Sequence, residues 1–169
     1  MLYDLKRTST ESKPKNVEHY VIHPEFLKKD GKSFRECDMA VFMVTEKLKV
    51  NTLDFMKLLP SHLPCEVEIP GYPKSGNGDM YKDMGKATHW EECKNIAGYD
   101  FVYHDVISET GMSGSPIIRF DDEEEEPMIV GIHTRSFAKM DINAGVKLSK
   151  KAIDWIAYAC TELETWHNQ

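Results

Sequence analysis

The alternation of apolar and polar residues along the chain predicts many short strands. Residues 17–22 have the mixed pattern of a half-exposed strand, and the continuous apolar run at 39–44 has the length of a buried one. Further strands are predicted at 66–70, 84–90, 100–107, 117–120 and 128–133. Gly, Pro and charged residues separate these segments, and such a pattern is typical of an all-β sandwich or barrel.

The spacing of apolar residues changes near the C-terminal end, where 149–163 is predicted to form an α-helix. Apolar side chains recur there at intervals of three and four and so share one helical face: Ile153, Ile156, Cys160 and Leu163. Ser149 is a residue type that caps helix N-termini. We expect the helix to close over the β-structure, with 164–169 as a tail. The polar residues 1–16 are predicted to be a poorly ordered lead-in.

A glycine-rich turn, Thr-Gly-Met-Ser-Gly-Ser-Pro at 110–116, stands between two of the predicted strands. Glycines on both sides of Ser113 allow backbone angles that other residues resist, so we expect this serine at an exposed corner. The amide hydrogens of Gly111 and Ser113 can converge there as an oxyanion hole. Gly, Ser and Pro are also common in ordinary loops. The nucleophile elbow of α/β-hydrolases is disfavoured, because a strand rather than a helix follows Pro116.

This turn resembles the nucleophile segment of trypsin-like serine proteases, and its surroundings resemble the glutamyl endopeptidase branch. Gly71–Pro73 matches an upstream Gly-Tyr-Pro, and Gly131–His133 matches a downstream Gly-Ile-His. Residues 37–42, Cys-Asp-Met-Ala-Val-Phe, resemble the strand that carries the family's triad aspartate. The motifs occur in the family's order and cover about residues 17–160.

The resemblance implies a chymotrypsin-like double β-barrel, with the first barrel incomplete, followed by the C-terminal α-helix. Residues 17–60 would form the remainder of the first barrel and the inter-barrel linker. Residues 61–148 would form the second barrel with the nucleophile turn, and 149–163 the helix. The implied activity is that of a serine endopeptidase acting on peptides or proteins, without a metal or a cofactor.

The resemblance makes Ser113 the nucleophile and Asp38 the triad aspartate. The family's triad follows the chain order His, Asp, Ser, but no segment resembling the family's histidine motif precedes Asp38. His19 and His23 are the only histidines before it, and His23 matches a loop that is not catalytic. The general base is therefore expected to be absent, either because the chain is a fragment or because it is a degenerate homologue. The alternative is a catalytically inactive, protease-like binding or scaffold domain.

An incomplete first barrel predicts open strand edges and exposed apolar surface, which a partner or a missing N-terminal segment would have to cover. The resemblance also assigns the substrate pocket. His133 matches the histidine that glutamyl endopeptidases use to bind an acidic side chain, and Thr134 and Arg135 follow it in the wall of the cleft. Arg135 either strengthens acid recognition or blocks the cleft, and Glu109 would repel an acidic substrate.

Composition narrows the choice of partners. The chain carries a formal net charge of −7, which disfavours nucleic acid and membrane surfaces because phosphate binding requires a basic face. No apolar run reaches membrane-spanning length. The first residues lack the apolar core of a secretory signal, whereas the family is usually secreted, so the compartment stays open.

Two features invite a metal hypothesis, and both have simpler explanations. The cysteines at 37, 65, 93 and 160 include no Cys-x-x-Cys motif and are predicted to be thiols. A zinc site formed by His62, Cys65, His89 and Cys93 is a weaker alternative, because the spacings are loose. The acidic run at 121–126 predicts a solvated loop rather than a calcium site, because it lacks alternating ligands and a turn glycine.

Overall fold

The computed structural model describes residues 17–27, 37–44, 53–55, 62–88, 101–120, 126–137 and 141–167. Within these ranges the strands are β1 Val17–Ile22, β2 Ala40–Val44, β3 Cys65–Gly71, β4 Tyr81–Thr88, β5 Phe101–His104, β6 Pro116–Arg119, β7 Met128–Phe137 and β8 Ile142–Lys147. The α-helices are α1 Pro24–Leu27 and α2 Lys150–His167, and Lys74–Gly76 forms a single 3₁₀ turn.

Six of these strands close into an antiparallel barrel in the order β3-β4-β5-β8-β7-β6. Alternate side chains of the strands point inward and build the barrel core, which includes the fully buried residues Val67, Ile69, Val102, Ile117 and Val130. Because β6 returns to pair with β3, every strand of the barrel has a neighbour on each side. This closure removes the free edges that an open sheet would expose.

The double-barrel expectation is met only in part. In the described ranges, β1 and β2 form a separate two-stranded antiparallel sheet in place of a first barrel. Tyr20 and Phe42 lie opposite each other on its outer face, with ring centroids 6.3 Å apart. They are 56% and 54% exposed. The inner face contributes Val21 and Val41 to an apolar cluster shared with α2.

Helix α2 joins the small sheet to the barrel. Its buried residues are Ala152, Trp155, Ala159 and Leu163. The predicted face is therefore wrong in part, because Ile153 and Ile156 are only half-buried and Cys160 is exposed. Ser149 Oγ accepts a hydrogen bond from the Ala152 amide at 3.3 Å, as expected of an N-cap residue. The helix ends at His167, so the predicted tail at 164–169 is wrong for its first residues. The reason lies in tertiary contacts, because Trp166 packs edge-on against His19 at 5.8 Å.

Other differences from the predicted elements arise from strand pairing. Strand β4 begins at Tyr81, before the predicted start at residue 84, because Tyr81 pairs with Gly71 of β3. Strand β7 runs to Phe137 because β8 pairs with it as far as Ile142. Helix α1 forms one turn after the first strand, where no helix was predicted. Residues 121–125 of the acidic run lie outside the described ranges, and no described helix is long and apolar enough to cross a membrane.

The barrel core gives a direct test of the packing. Ile117 is fully buried, so Ile117→Ala removes packed methylene groups and leaves a cavity, at a cost of about 2–5 kcal/mol in unfolding free energy. Met84, which is 57% exposed, is the matched control, and Met84→Ala should change that free energy by less than about 0.5 kcal/mol. Urea denaturation measures both. Equal losses in the two variants would contradict this packing.

Candidate active site

Ser113 stands at a corner made by two successive turns. The Met112 amide donates to the Glu109 carbonyl at 3.1 Å, and the Ser115 amide donates to the Met112 carbonyl at 3.0 Å. The third residue of each turn is a glycine in the left-handed region, with φ of 104° at Gly111 and 91° at Gly114. The serine between them is exposed, and β6 rather than a helix follows the corner.

Backbone hydrogen bonds hold this corner from two sides. On one side, the Lys74 amide donates to the Thr110 carbonyl at 2.8 Å. On the other, the Gly114 amide donates to the His133 carbonyl and the His133 amide donates to the Ser115 carbonyl, each at 2.8 Å. The turn is therefore fixed to the segment after β3 and to β7.

The backbone also approaches Gly111 closely. A Cβ at this position would lie 2.8 Å from both the Lys74 nitrogen and the Tyr72 oxygen, which leaves no room for a side chain. Within the described part of the chain, no group accepts a hydrogen bond from the amides of Gly111 or Ser113. Two such amides beside an exposed hydroxyl can stabilise an oxyanion.

Ser113 opens onto a cleft of about 850 Å³. His133, Thr134 and Arg135, which the sequence analysis assigned to the substrate pocket, line this cleft with Ser113 and Gly111. The remaining lining residues come from the two loops that flank the turn and from the end of the same β7 segment: Lys74, Ser75, Ser108, Glu109, Thr110 and Ser136. The structure thus brings together every predicted site residue except Asp38.

A buried histidine pair lies behind the cleft. His104 is fully buried and His133 is 3% exposed, and His104 Nε2 lies 3.2 Å from His133 Nδ1. Burial lowers the pKa of His104 to about 3, with a smaller contribution from His133 and partial opposition from Asp105. Burial also lowers the pKa of His133. At neutral pH both rings of the free protein are therefore largely neutral.

Asp38 lies just before β2 and is half-buried. Burial raises the pKa of its carboxyl, and the positive charge of Arg135 opposes part of that rise. The Asp38 carboxyl and the Arg135 side chain, which lines the cleft, are therefore coupled electrostatically. Met39 and Gly114, which follow Asp38 and Ser113 in sequence, line one apolar cavity of about 120 Å³. The two segments are thus neighbours in the fold.

The two histidines that precede Asp38 both contact α2. His23 is buried, its ring centroid lies 4.7 Å from that of Trp155, and its Nδ1 accepts the Glu25 amide at 3.2 Å. His19 packs against Trp166. Among the described residues that line the cleft with Ser113, His133 is the only histidine.

The metal alternatives gain no support from the described residues. No group of three or more His, Cys, Asp or Glu side chains among them is arranged to hold a metal ion. Cys37, Cys65 and Cys160 form no disulfide bond with one another. His89 and Cys93 of the alternative zinc set lie outside the described ranges.

Sequence reasoning missed His104 and the bond between Ser75 Oγ and the Glu109 carboxylate. No local signal marks either feature. His104 pairs with Asn143 and His133 with Gly145, so the two histidines meet only because β8 lies between their strands. The Glu109 carboxylate accepts the Ser75 hydroxyl, and the expectation that Glu109 repels an acidic substrate stays a prediction.

Comparison with known proteins identifies the fold. A Glu endopeptidase solved in complex with MPD superposes with a TM-score of 0.64 at 19% sequence identity, covering 86% of this chain and 63% of that one. Kallikrein-related peptidase 10 gives a TM-score of 0.61 at 13% identity, covering 88% of this chain and 73% of that one. The chain therefore has a trypsin-like serine peptidase fold and spans about 63% of the length of the Glu endopeptidase. No family model matches the sequence, and no curated protein matches it.

The left-handed glycine of the corner gives the first test of the site. Gly111→Ala places a methyl group against the backbone of the segment after β3 and also strains φ, so unfolding free energy should fall by about 2 kcal/mol or more. Gly78 has a φ of 88° with open space around it, so Gly78→Ala isolates the conformational cost, about 1 kcal/mol. Thermal unfolding distinguishes them, and equal losses would contradict the close approach at Gly111.

The histidine pair predicts an acid-sensitive fold. A histidine whose pKa is depressed on folding contributes full stability above its unfolded value of 6.5 and loses it as pH falls toward the folded value of about 3. Across that window His104 should lower the unfolding free energy by about 1.4 kcal/mol per pH unit. In His104→Leu that part of the slope should vanish. Urea titrations across the window measure it, and identical slopes would contradict the buried neutral state.

Proposed function

We propose that this chain is a serine-type endopeptidase domain that cleaves peptide bonds through an acyl-enzyme formed on Ser113. The observation that carries the proposal is the exposed Ser113 hydroxyl at a fixed glycine corner, beside two available amides and facing a large cleft. Ser113 Oγ attacks the peptide carbonyl and its proton passes to a general base. The Gly111 and Ser113 amides stabilise the oxyanion, and the C–N bond breaks as the protonated base gives its proton to the leaving amine. Water then hydrolyses the ester and regenerates the Ser113 hydroxyl.

Asp38 is proposed to orient the base and to stabilise its protonated form. We place the base histidine outside the described residues, in a preceding segment or a partner chain that adds strands to the β1–β2 sheet. The outer face with Tyr20 and Phe42 supports this placement, because two exposed aromatic rings on a two-stranded sheet favour a covering strand layer. The chain alone is then expected to have only residual activity from its oxyanion hole and substrate binding.

The proposed substrate class is a peptide with an acidic side chain at the cleaved bond. His133 lies in the wall of the cleft, and no described group hydrogen-bonds its Nε2. Lys74 and Arg135 add two positive charges to the lining, against the one negative charge of Glu109. A substrate carboxylate that enters the cleft is therefore surrounded by a net positive charge and lies next to the His133 ring.

A second candidate is a protease-like domain that binds peptides without cleaving them. The observation that favours it is that the histidine lining the cleft, His133, has its Nδ1 engaged by His104 and is nearly inaccessible. The two candidates share the cleft and its acid preference and differ only in whether Ser113 becomes activated.

Reaction with a fluorophosphonate probe tests the activity. We expect one adduct on Ser113, seen by intact mass and peptide mapping, because the probe reports a nucleophile beside an oxyanion hole. Free imidazole supplies the missing base from solution and should raise the labelling rate on the order of tenfold, a part of what a positioned base contributes.

The controls separate catalysis from chance reaction. Ser113→Ala must abolish the adduct, and Asp38→Asn must weaken the response to imidazole, because the imidazolium loses its stabilising carboxylate. Exposed Ser75, in the same cleft, serves as the matched site, and Ser75→Ala should leave labelling on Ser113. Absence of labelling with and without imidazole, in protein shown to be folded, would overturn the protease proposal and favour the second candidate.

A further inference from the structure

The apolar cavity of about 120 Å³ lies where the small sheet, the barrel and α2 meet. Its wall includes Met39 and Val41 from the β2 segment, Ile129 and Ile132 from β7, and Trp155 from α2. None of the described residues that line it carries a charge, and none of them also lines the cleft in front of Ser113. The cavity is therefore a separate pocket with a chemistry of its own.

This cavity has a buried end and an exposed end. Met39, Leu148 and Trp155 are each 9% exposed or less and line the buried end. Phe55 and Cys160 also line the cavity, but both are exposed. These two residues mark the side on which the cavity meets solvent, so a small molecule can enter there without unfolding of the barrel.

The lining determines which ligands fit. Trp155 Nε1 is inaccessible to water and has no hydrogen-bond partner in the described part of the chain, so this nitrogen offers a ligand no hydrogen bond. A cavity of about 150 Å³ with aliphatic and aromatic walls holds one benzene molecule, and the volume here is close to that size. A polar ligand would lose its hydration and gain no hydrogen bond from these side chains.

We propose that this cavity is a binding site for a small apolar molecule of the size of one aromatic ring, and that its occupant restrains the corner at Ser113. Gly114, which follows Ser113, lines the cavity together with Met39, which follows Asp38. The Gly114 amide donates to the His133 carbonyl at 2.8 Å and so fixes the turn to β7. A ligand in contact with both segments disfavours local openings that separate them. The inference goes beyond the proposed function, because it does not require Ser113 to react.

Methyl NMR of the whole chain with benzene tests the binding. We expect contacts between benzene and the methyl groups of Ala40, Ile132 and Leu148, and none with Val67 in the barrel core. The dissociation constant should be on the order of 0.1–1 mM, because one ring buries little apolar surface. Pyridine has the same shape but would bury its nitrogen without a partner, so it should bind at least about tenfold more weakly. Absence of these contacts, or equal affinities of the two rings, would overturn the proposal.

Substitution at the exposed end changes the cavity without altering the core. Cys160→Phe places a ring at the opening and should lower benzene affinity at least about tenfold, because little room remains for a second ring. Thr161→Phe is the matched control, since Thr161 is exposed on the same helix but does not line the cavity. Ala40→Leu fills the cavity from β2 and should also lower the affinity. Wild-type affinity in both Cys160→Phe and Ala40→Leu would overturn the proposal.

Amide hydrogen exchange tests the restraint on the corner. At about ten times the dissociation constant, benzene makes openings that disrupt the cavity about tenfold rarer, so the Gly114 amide should exchange about tenfold more slowly. The Asp79 amide donates to the Gly76 carbonyl at 2.8 Å in an exposed turn. It can exchange while the cavity stays closed, so its rate should not change. An unchanged rate at Gly114, or equal slowing at both amides, would overturn the restraint.

The same titrations distinguish a free ligand from another occupant. Benzene affinity that falls as the protein concentration is raised would assign the cavity to a side chain of a second copy of this chain, and would overturn the proposal. Fluorophosphonate labelling of Ser113 enters none of these measurements. The failure of the cavity proposal and the failure of the protease proposal are therefore separate results.

Discussion

The geometry of the candidate site depends on the hydrogen bonds that hold the nucleophile turn between two other segments. Strand β7 exchanges two backbone hydrogen bonds with the turn, through His133, and the Lys74 amide closes the opposite side. His133 thus has two roles, because its backbone binds the turn and its side chain lines the cleft. The position of Ser113 and the position of the cleft wall therefore both depend on β7, and a displacement of this strand would change both.

Features written locally in the sequence could be predicted from it. The glycines around Ser113 and the serine cap of α2 each act over a few residues, and each is found in the structure. The helix is found as well, but its buried face is displaced by one residue from the predicted one, to Ala152, Trp155 and Ala159. The same holds for the strands at β1, β2 and β6, but β2 was predicted to be buried and is half-exposed, with Phe42 on its outer face. The two turns at Ser113 are closed by local hydrogen bonds and could be predicted from their glycines, whereas their position in the fold is set by Lys74 and His133.

Features that depend on distant pairing could not be predicted. The contact between His104 and His133 exists because β5 and β7 flank β8, and nothing near either histidine encodes that register. The true ends of β4, β7 and α2 are likewise set by partners: Gly71 for Tyr81, Ile142 for Phe137, and His19 for Trp166. The local sequence does not extend the strand or helix pattern to these ends, so the elements predicted from the sequence are shorter than the observed ones.

The described part of the chain has two β-regions, the closed barrel and the β1–β2 sheet, and they differ in their capacity to accept an additional strand. Every barrel strand is hydrogen-bonded on both sides, whereas each strand of the β1–β2 sheet has one bonded neighbour. An additional strand can pair with β1 or β2 without breaking existing backbone hydrogen bonds. A strand added to the barrel would have to break the hydrogen bonds between two of its strands. A new strand can therefore be accommodated at the β1–β2 end of the domain without disturbing the backbone hydrogen bonds that hold the serine corner.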